Sequence, residues 1–203
     1  MANKSKYGIS NVYYAVETED NSGVSTYGTP VALPEAVSLS LDAEGSEYKK
    51  FADNVPYYVD FNNGGYSGDF EITELPDQFK TDCLGMVVDA NGGLVETADA
   101  KTKGFALMGQ IDGDAMNRRF VFYKGKASRP GFSAETTEDA KEAQDDTLSV
   151  SFAAAKLTGW EEKIVRYALP DTGTGYNNFF SAVPVPTPVS DTDTDTDTDT
   201  GEE

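Results

Sequence analysis

The chain has 203 residues, the length of one ordinary domain with or without an appendage. It carries 35 Asp and Glu against 16 Lys and Arg, and the formal net charge of −19 disfavours binding to nucleic acid or to an anionic membrane, because Lys and Arg provide most of the affinity for phosphates. Histidine is absent and Cys83 is the single cysteine, which removes the usual neutral-pH general base, a disulfide within the chain and a thiolate zinc site. We expect a protein that is not an enzyme and has no catalytic, cofactor-binding or metal-binding residues.

The chain contains no apolar run near the roughly 20 residues of a membrane-spanning helix. Its first eight residues include two lysines without an apolar stretch behind them, which is not the pattern of a secretion signal. We therefore expect a protein that is made in the cytoplasm and has no membrane partner.

Apolar and polar residues alternate repeatedly along the chain, with the period of two that is typical of β-strands. The pattern predicts about eight strands, at 12–16, 37–41, 55–61, 70–72, 105–111, 119–123, 148–152 and 164–169. Turn sequences separate several of them at 62–65, 91–93 and 112–114, and the glycine-rich run 64–68 is also predicted to be a hairpin turn. The fold expected is mainly β, an antiparallel β-sandwich or barrel with long polar loops.

One α-helix is predicted at about 75–85. Pro76 lies near its first position and Gly85 is a suitable C-terminal stop. Leu75, Phe79 and Cys83 recur every four residues and form a narrow apolar stripe, so we expect the helix to flank the sheet. On this stripe Cys83 is interpreted as a small buried hydrophobic residue rather than a reactive thiol.

Three segments lack a strand pattern. Residues 42–54 and 129–146 are polar and are predicted to be long loops that are available for contacts. From Pro184 onward a Pro-Val spacer is followed by Asp-Thr repeats, in which like charges repel and nothing apolar can be buried. The predicted organisation is a β domain at 1–183 and a disordered acidic tail at 184–203.

Two short motifs suggest other functions. Residues 169–173, Leu-Pro-Asp-Thr-Gly, match the sorting pentapeptide of wall-anchored bacterial proteins, and with the acidic repeats they favour an alternative function as a cell-surface or adhesion module. No apolar span or basic stop follows the motif, so we expect Leu169 to end a strand and the next residues to turn. The alternating aspartates at 191–199 lack the glycine and the twelfth-position glutamate of a calcium loop.

Two clusters of charged residues are candidates for chemistry or contact. Two carboxylates among Asp53, Asp60, Asp69 and Glu71 could form the acid pair of a glycoside hydrolase if the fold brings them close together. Asp69 and Glu71 lie on the polar face of a predicted strand, which favours a solvated surface instead. The clearest basic cluster comprises Arg118, Arg119, Lys124 and Lys126. In an acidic chain we expect these cations to pair with carboxylates of a neighbouring subunit.

The order of these segments closely resembles the major tail proteins of long-tailed (siphovirus) phages, which are the subunits of the tail tube. The resemblance extends from Tyr7 to about Ala155. It is carried by YGISNVYYA at 7–15, TYGTPVALP at 26–34, VSLSL at 37–41, FADNVPYYV at 51–59, GYSGDFEI at 65–72, LPDQF at 75–79 and ETADAK at 96–101, before the strand that begins at Phe105. The Asp-Thr run lies outside the family pattern.

The resemblance implies a structural protein of the virion that is made in the host cytoplasm and closes hexameric rings, which stack into a tube for genome delivery. The partners that it implies are further copies of the chain and other tail proteins at the tube ends. The tape measure protein and DNA would pass through the lumen without specific binding. An anionic wall would keep the passing phosphates from adhering.

Overall fold

The computed structural model describes residues 8–52, 55–132 and 144–188. The first half of the chain contains β1 (Gly8–Glu19), β2 (Ser25–Tyr27), β3 (Val31–Ala32), β4 (Ala36–Glu44), β5 (Glu47–Ala52), β6 (Val55–Phe61), β7 (Gly65–Ile72) and the helix α1 (Asp77–Cys83). The second half contains β8 (Val87–Val88), β9 (Leu94–Val95), β10 (Phe105–Asp112), β11 (Arg119–Ala127), β12 (Asp146–Phe152), β13 (Ala155–Lys156), β14 (Lys163–Ile164), β15 (Arg166–Leu169) and a 3-10 helix, Tyr176–Asn178.

Nine strands form one antiparallel sheet. Its order is β2-β1-β10-β11-β12-β7-β4, with β3 beside β1 and β15 beside β11. Strand β1 also contacts β4, so the sheet curls and its apolar residues meet in a common core. The predicted mainly β antiparallel architecture with one flanking helix is confirmed.

The central strands β10 and β11 are buried on both faces. In β10, Phe105 and Leu107 join the larger core cluster, whereas Ala106 and Met108 join a second cluster on the opposite face. This burial explains why the β10 sequence is continuously apolar rather than strictly alternating.

The second cluster is closed by residues from the end of the described chain. Phe179 is buried there, and Phe180 stacks on Tyr13 with 4.8 Å between ring centroids. Tyr123 donates its hydroxyl to the Pro184 carbonyl at 2.7 Å, and the indole N–H of Trp160 donates to the Pro186 carbonyl. Residues 184–186, assigned from the sequence to the tail, therefore contact the β domain, while residues 189–203 lie outside the described residues.

The helix α1 lies within the predicted range, and its apolar stripe is confirmed. Leu75, Phe79 and Cys83 are at most 2% exposed. Tyr14 of β1 packs edge-on against Phe79 and donates its hydroxyl to Asp82 Oδ2 at 2.9 Å. These contacts attach the helix to the sheet.

Some sequence predictions are wrong in detail. Residues 42–52 are not a loop: β4 continues to Glu44 and β5 pairs with β6, although Asp53 and Asn54 lie outside the described residues. The glycine-rich run is not a turn, since β7 already begins at Gly65 and the connection occupies 62–64. A Cβ at Gly68 would overlap the Ser40 carbonyl of β4, which explains the need for glycine there.

Other predictions concern the second half of the chain. The strand expected at 164–169 is divided at Val165 into β14 and β15. Residues 133–143 of the second predicted loop lie outside the described residues, and β12 begins at Asp146. In the described ranges, the chain forms no helix that is both long and apolar enough to cross a membrane.

Candidate functional site

A two-stranded ribbon, β5 with β6, extends beyond the main sheet. We call these two strands, residues 47–52 and 55–61, the aromatic hairpin. It prolongs the β4–β7 pair: Glu44 pairs with Gly65, and Glu47 then pairs with Phe61. At its base Ser46 donates its backbone N–H to Asn62 Oδ1 at 2.6 Å, and the Asn62 N–H donates to the Ser46 carbonyl at 3.2 Å. Within the described residues, its two strands pair only with each other.

The aromatic hairpin exposes large apolar side chains on both faces. Tyr57, Val59 and Phe61 share one face, and the exposed fractions of the two aromatic residues are 81% and 72%. Tyr48 and Tyr58 lie on the other face and are also at least half exposed. An isolated hairpin is marginally stable in water, and a contiguous exposed apolar surface is typical of an interaction site.

Polar side chains cover the outer face of β4, β7 and β12. The cross-strand register forms three rows on this face: Ser38, Glu71 and Thr147; Ser40, Asp69 and Ser149; Asp42, Ser67 and Ser151. We call these nine residues the serine–acid face. Ser38 donates its hydroxyl to Glu71 at 2.7 Å and Ser149 donates to Asp69 at 2.9 Å, so hydroxyls and carboxylates are linked across the strands.

The candidate acid pair is not assembled by these contacts. Asp69 and Glu71 each accept a hydrogen bond from a serine of a neighbouring strand, and Asp60 lies on the aromatic hairpin. Asp53 lies outside the described residues, as do the aspartates at 191–199. Over the described ranges, His, Cys, Asp and Glu form no group of three that could hold a metal ion.

The basic cluster has partners in its own chain. Arg118 pairs with the buried Asp114 at 2.9 Å, and Lys124 pairs with Glu19 at 3.2 Å. Arg119 donates to the Tyr176 carbonyl and stacks 3.9 Å from the centre of that ring. Lys126 donates to the Thr102 carbonyl at 3.2 Å. These contacts give each cation a role within its own chain, which the expected pairing with a neighbouring subunit did not anticipate.

The remaining motifs have local structural roles. Leu169 ends β15, and the Gly173 N–H donates to the Pro170 carbonyl at 2.9 Å, which confirms the predicted turn. The Asp171 N–H donates to the Met116 carbonyl at 3.0 Å, so the pentapeptide packs on the rest of the domain. Cys83 is buried, and burial in apolar surroundings raises the pKa of its thiol to about 12. The interpretation of Cys83 as a buried hydrophobic residue is confirmed.

The sequence identifies part of this site. It predicts β6 with its observed bounds and the alternation that produces the serine–acid face, but it assigns β5, with Tyr48, to a loop. Adjacent exposed tyrosines at 57 and 58 are the available signal, because they occupy both faces of one strand.

No model of a known protein family and no curated protein matches the chain.

Proposed function

We propose that the chain is a structural subunit that assembles with copies of itself into stacked rings, as the tail tube of a long-tailed phage. The observation that carries this proposal is the aromatic hairpin, whose apolar side chains on both faces lack a covering element in the described chain. Burying one such side chain contributes about 2 kcal/mol, and a closed ring repeats the contact in every subunit. Self-assembly would therefore stabilise the hairpin as well as the ring.

The serine–acid face supports the tubular form of this proposal. Its nine positions carry hydroxyls and carboxylates but no lysine or arginine. The neighbouring cation is Lys126 of β11, which pairs with Ser151 at the margin of the face and donates to the Thr102 carbonyl. The face therefore offers phosphate too little positive charge for a polyanion to bind. We propose that this face lines the lumen of the tube that the ordered resemblance to tail tube proteins along residues 7–155 implies.

Electron microscopy and sedimentation of the purified full chain test the proposal. We expect rings or hollow tubes for the unaltered chain. A variant in which residues 47–61 are replaced by Asn-Gly retains the Ser46–Asn62 base and should stay folded but monomeric.

A matched control substitutes exposed apolar residues elsewhere. Val87→Ser with Val88→Ser alters the β8–β9 hairpin, where both side chains are more than half exposed, and this variant should still assemble. Unaltered protein that remains monomeric at high concentration in several salts would contradict the proposal, as would normal tubes from the hairpin replacement.

A further inference from the structure

An open groove of about 430 Å³ lies between β4 and the strands β1, β10 and β11. We call it the β4 groove. Its apolar wall includes Ile9, Leu39 and Leu41, which are only partly buried, and the rings of Phe120 and Phe122. The core is thus open to solvent along one side of β4.

Arg166 lies at the β4 groove and is the one cation that lines it among the described residues. Its guanidinium carbon stands 5.7 Å from the centre of the Phe122 ring, a geometry that favours recognition of carboxylates and aromatic rings. No carboxylate of the described residues forms an ion pair with Arg166, and none of them lines the groove. In a chain of net charge −19, Arg166 is thus a cation without a carboxylate partner among the described residues.

One face of the aromatic hairpin has the complementary chemistry. Asp60 pairs directly across the ribbon with Tyr48, and Tyr58 lies two positions away on the same face. Two exposed phenol rings therefore flank one exposed carboxylate. Lys50 lies on the same face, opposite Tyr58 and two residue pairs along the ladder from the Tyr48–Asp60 pair. Within the described residues it forms no ion pair with Asp60, so the carboxylate is left to a partner.

The two surfaces are separated along β4. Residues 37–39 and 41 line the groove, whereas the hairpin follows Glu44 and its ladder continues away from the start of β4. A chain's own hairpin is thus directed away from its own groove. A projecting patch and a complementary groove at different positions produce head-to-tail association, which closes rings or continues as a stack.

We infer that the β4 groove binds the aromatic hairpin of a second copy of this chain, with Tyr48 and Tyr58 against its apolar wall and the Asp60 carboxylate on the Arg166 guanidinium. This inference rests on the proposed self-assembly and identifies the receiving surface. The receiving groove is formed by strands that are far apart in the sequence. Within it, Arg166 is the residue that recognises the hairpin.

Charge exchange in the full chain tests the inference. Arg166→Glu and Asp60→Lys should each raise the protein concentration needed for assembly at least about tenfold, since like charges then meet in the contact. Mixing the two variants in equal amounts should restore assembly, because every contact between unlike variants then joins an acid to a base. The Lys163→Glu substitution, also on an exposed residue before β15, is the matched control and should leave the threshold unchanged.

Cross-linking gives a second readout that does not depend on the charge exchange. Val37→Cys at the groove and Lys50→Cys on the hairpin should join into a heterodimer with a bifunctional maleimide, and the buried Cys83 will not compete. If the unaltered chain assembles but neither single charge variant changes the threshold and no heterodimer is captured, the groove assignment is overturned and the proposed function stands. If the unaltered chain never assembles, both fail.

Discussion

Gly65, the first residue of β7, is fixed by its backbone and by its neighbours. Its φ of +101° is in the region that favours glycine, and a Cβ there would overlap the Phe152 carbonyl of β12. Gly92 has a φ of +84° but no atom within 4 Å of the position of a Cβ. Comparing substitutions at Gly65 and Gly92 therefore distinguishes the effect of steric overlap from that of backbone conformation.

We expect Gly65→Ala to lower the free energy of unfolding by about 3 kcal/mol, because strain and overlap add. Gly92→Ala should cost about 1 kcal/mol from the backbone alone. Urea unfolding followed by Trp160 fluorescence measures both values. Equal losses in the two variants would show that the β7–β12 approach is not a steric constraint.

Buried ionisable groups set the alkaline limit of stability. Burial raises the pKa of Cys83 from 9.0 to about 12, and it raises the pKa of the Tyr14 and Tyr123 phenols as well. The folded state holds these protons more tightly than the unfolded chain, so the contribution of these groups to stability is constant below about pH 9 and falls above it. The contribution from Cys83 is at most about 1.4 kcal/mol per pH unit.

The Cys83→Ala variant should lose stability less steeply between pH 9 and pH 11 than the unaltered chain, and urea titrations at several pH values measure the two slopes. A thiol reagent at pH 8 should leave folded Cys83 unmodified and react once urea is added. Rapid modification of the folded protein would place the thiol at the surface and contradict this prediction.

At the scale of elements, the C-terminal segment 176–188 is a strap across β10 and β11. Its two carbonyls accept hydrogen bonds from Tyr123, which is fully buried, and from Trp160. Removing residues 189–203 should leave the free energy of unfolding unchanged. Removing residues 184–188 as well should lower it by about 2 kcal/mol, since the buried Tyr123 and the partly buried Trp160 lose their acceptors.

Thermal unfolding of the two truncated chains compares these effects directly. Tyr123→Phe is the matched control, because it removes the donor and should make the second truncation less costly. Equal melting temperatures for both truncations would mean that the strap does not stabilise the sheet.

Burial determines which elements the sequence can predict. Strands β4, β7 and β12 are detectable because each alternates between a core face and the serine–acid face. In the aromatic hairpin, β6 keeps apolar residues at every second position and is predicted, whereas 47–52 contains two adjacent lysines and no alternation, so this segment resembles a loop. Strands of two or three residues, such as β3 and β8, are too short to carry a period.

The proposed contact surfaces depend on strand register, which a sequence pattern does not contain. The β4 groove brings Ile9, Leu39 and Arg166 together from segments far apart in the chain. The rows of the serine–acid face require that β4 and β12 flank β7 in one alignment. A shift by one residue would exchange polar and apolar faces.

At the scale of the whole molecule, the absence of cations from the nine positions of the serine–acid face predicts how the protein treats DNA. Replacing the row Ser40, Asp69 and Ser149 by lysines should create DNA binding that weakens between about 50 mM and about 200 mM salt, because counterions are released. The unaltered chain should not bind. Replacing the same row by asparagines removes the acid without adding cations and should bind no DNA in a mobility-shift assay.

Binding by the asparagine variant would mean that the carboxylate alone prevents adhesion. Absence of binding by the lysine variant would indicate that this face does not meet DNA even when it is cationic.

The order of the strands also constrains when the chain can fold during synthesis. The aromatic hairpin is local and can form once Phe61 has emerged, whereas β1 waits for β10, with Ser10 and Asp112 joined across 102 residues. Closing such long loops is slow relative to forming a hairpin. A nascent chain would therefore expose the aromatic side chains of its hairpin well before the sheet behind it exists. The β4 groove needs β10, β11 and β15, so the inferred contact between neighbouring nascent chains would have to wait until those strands have been synthesised.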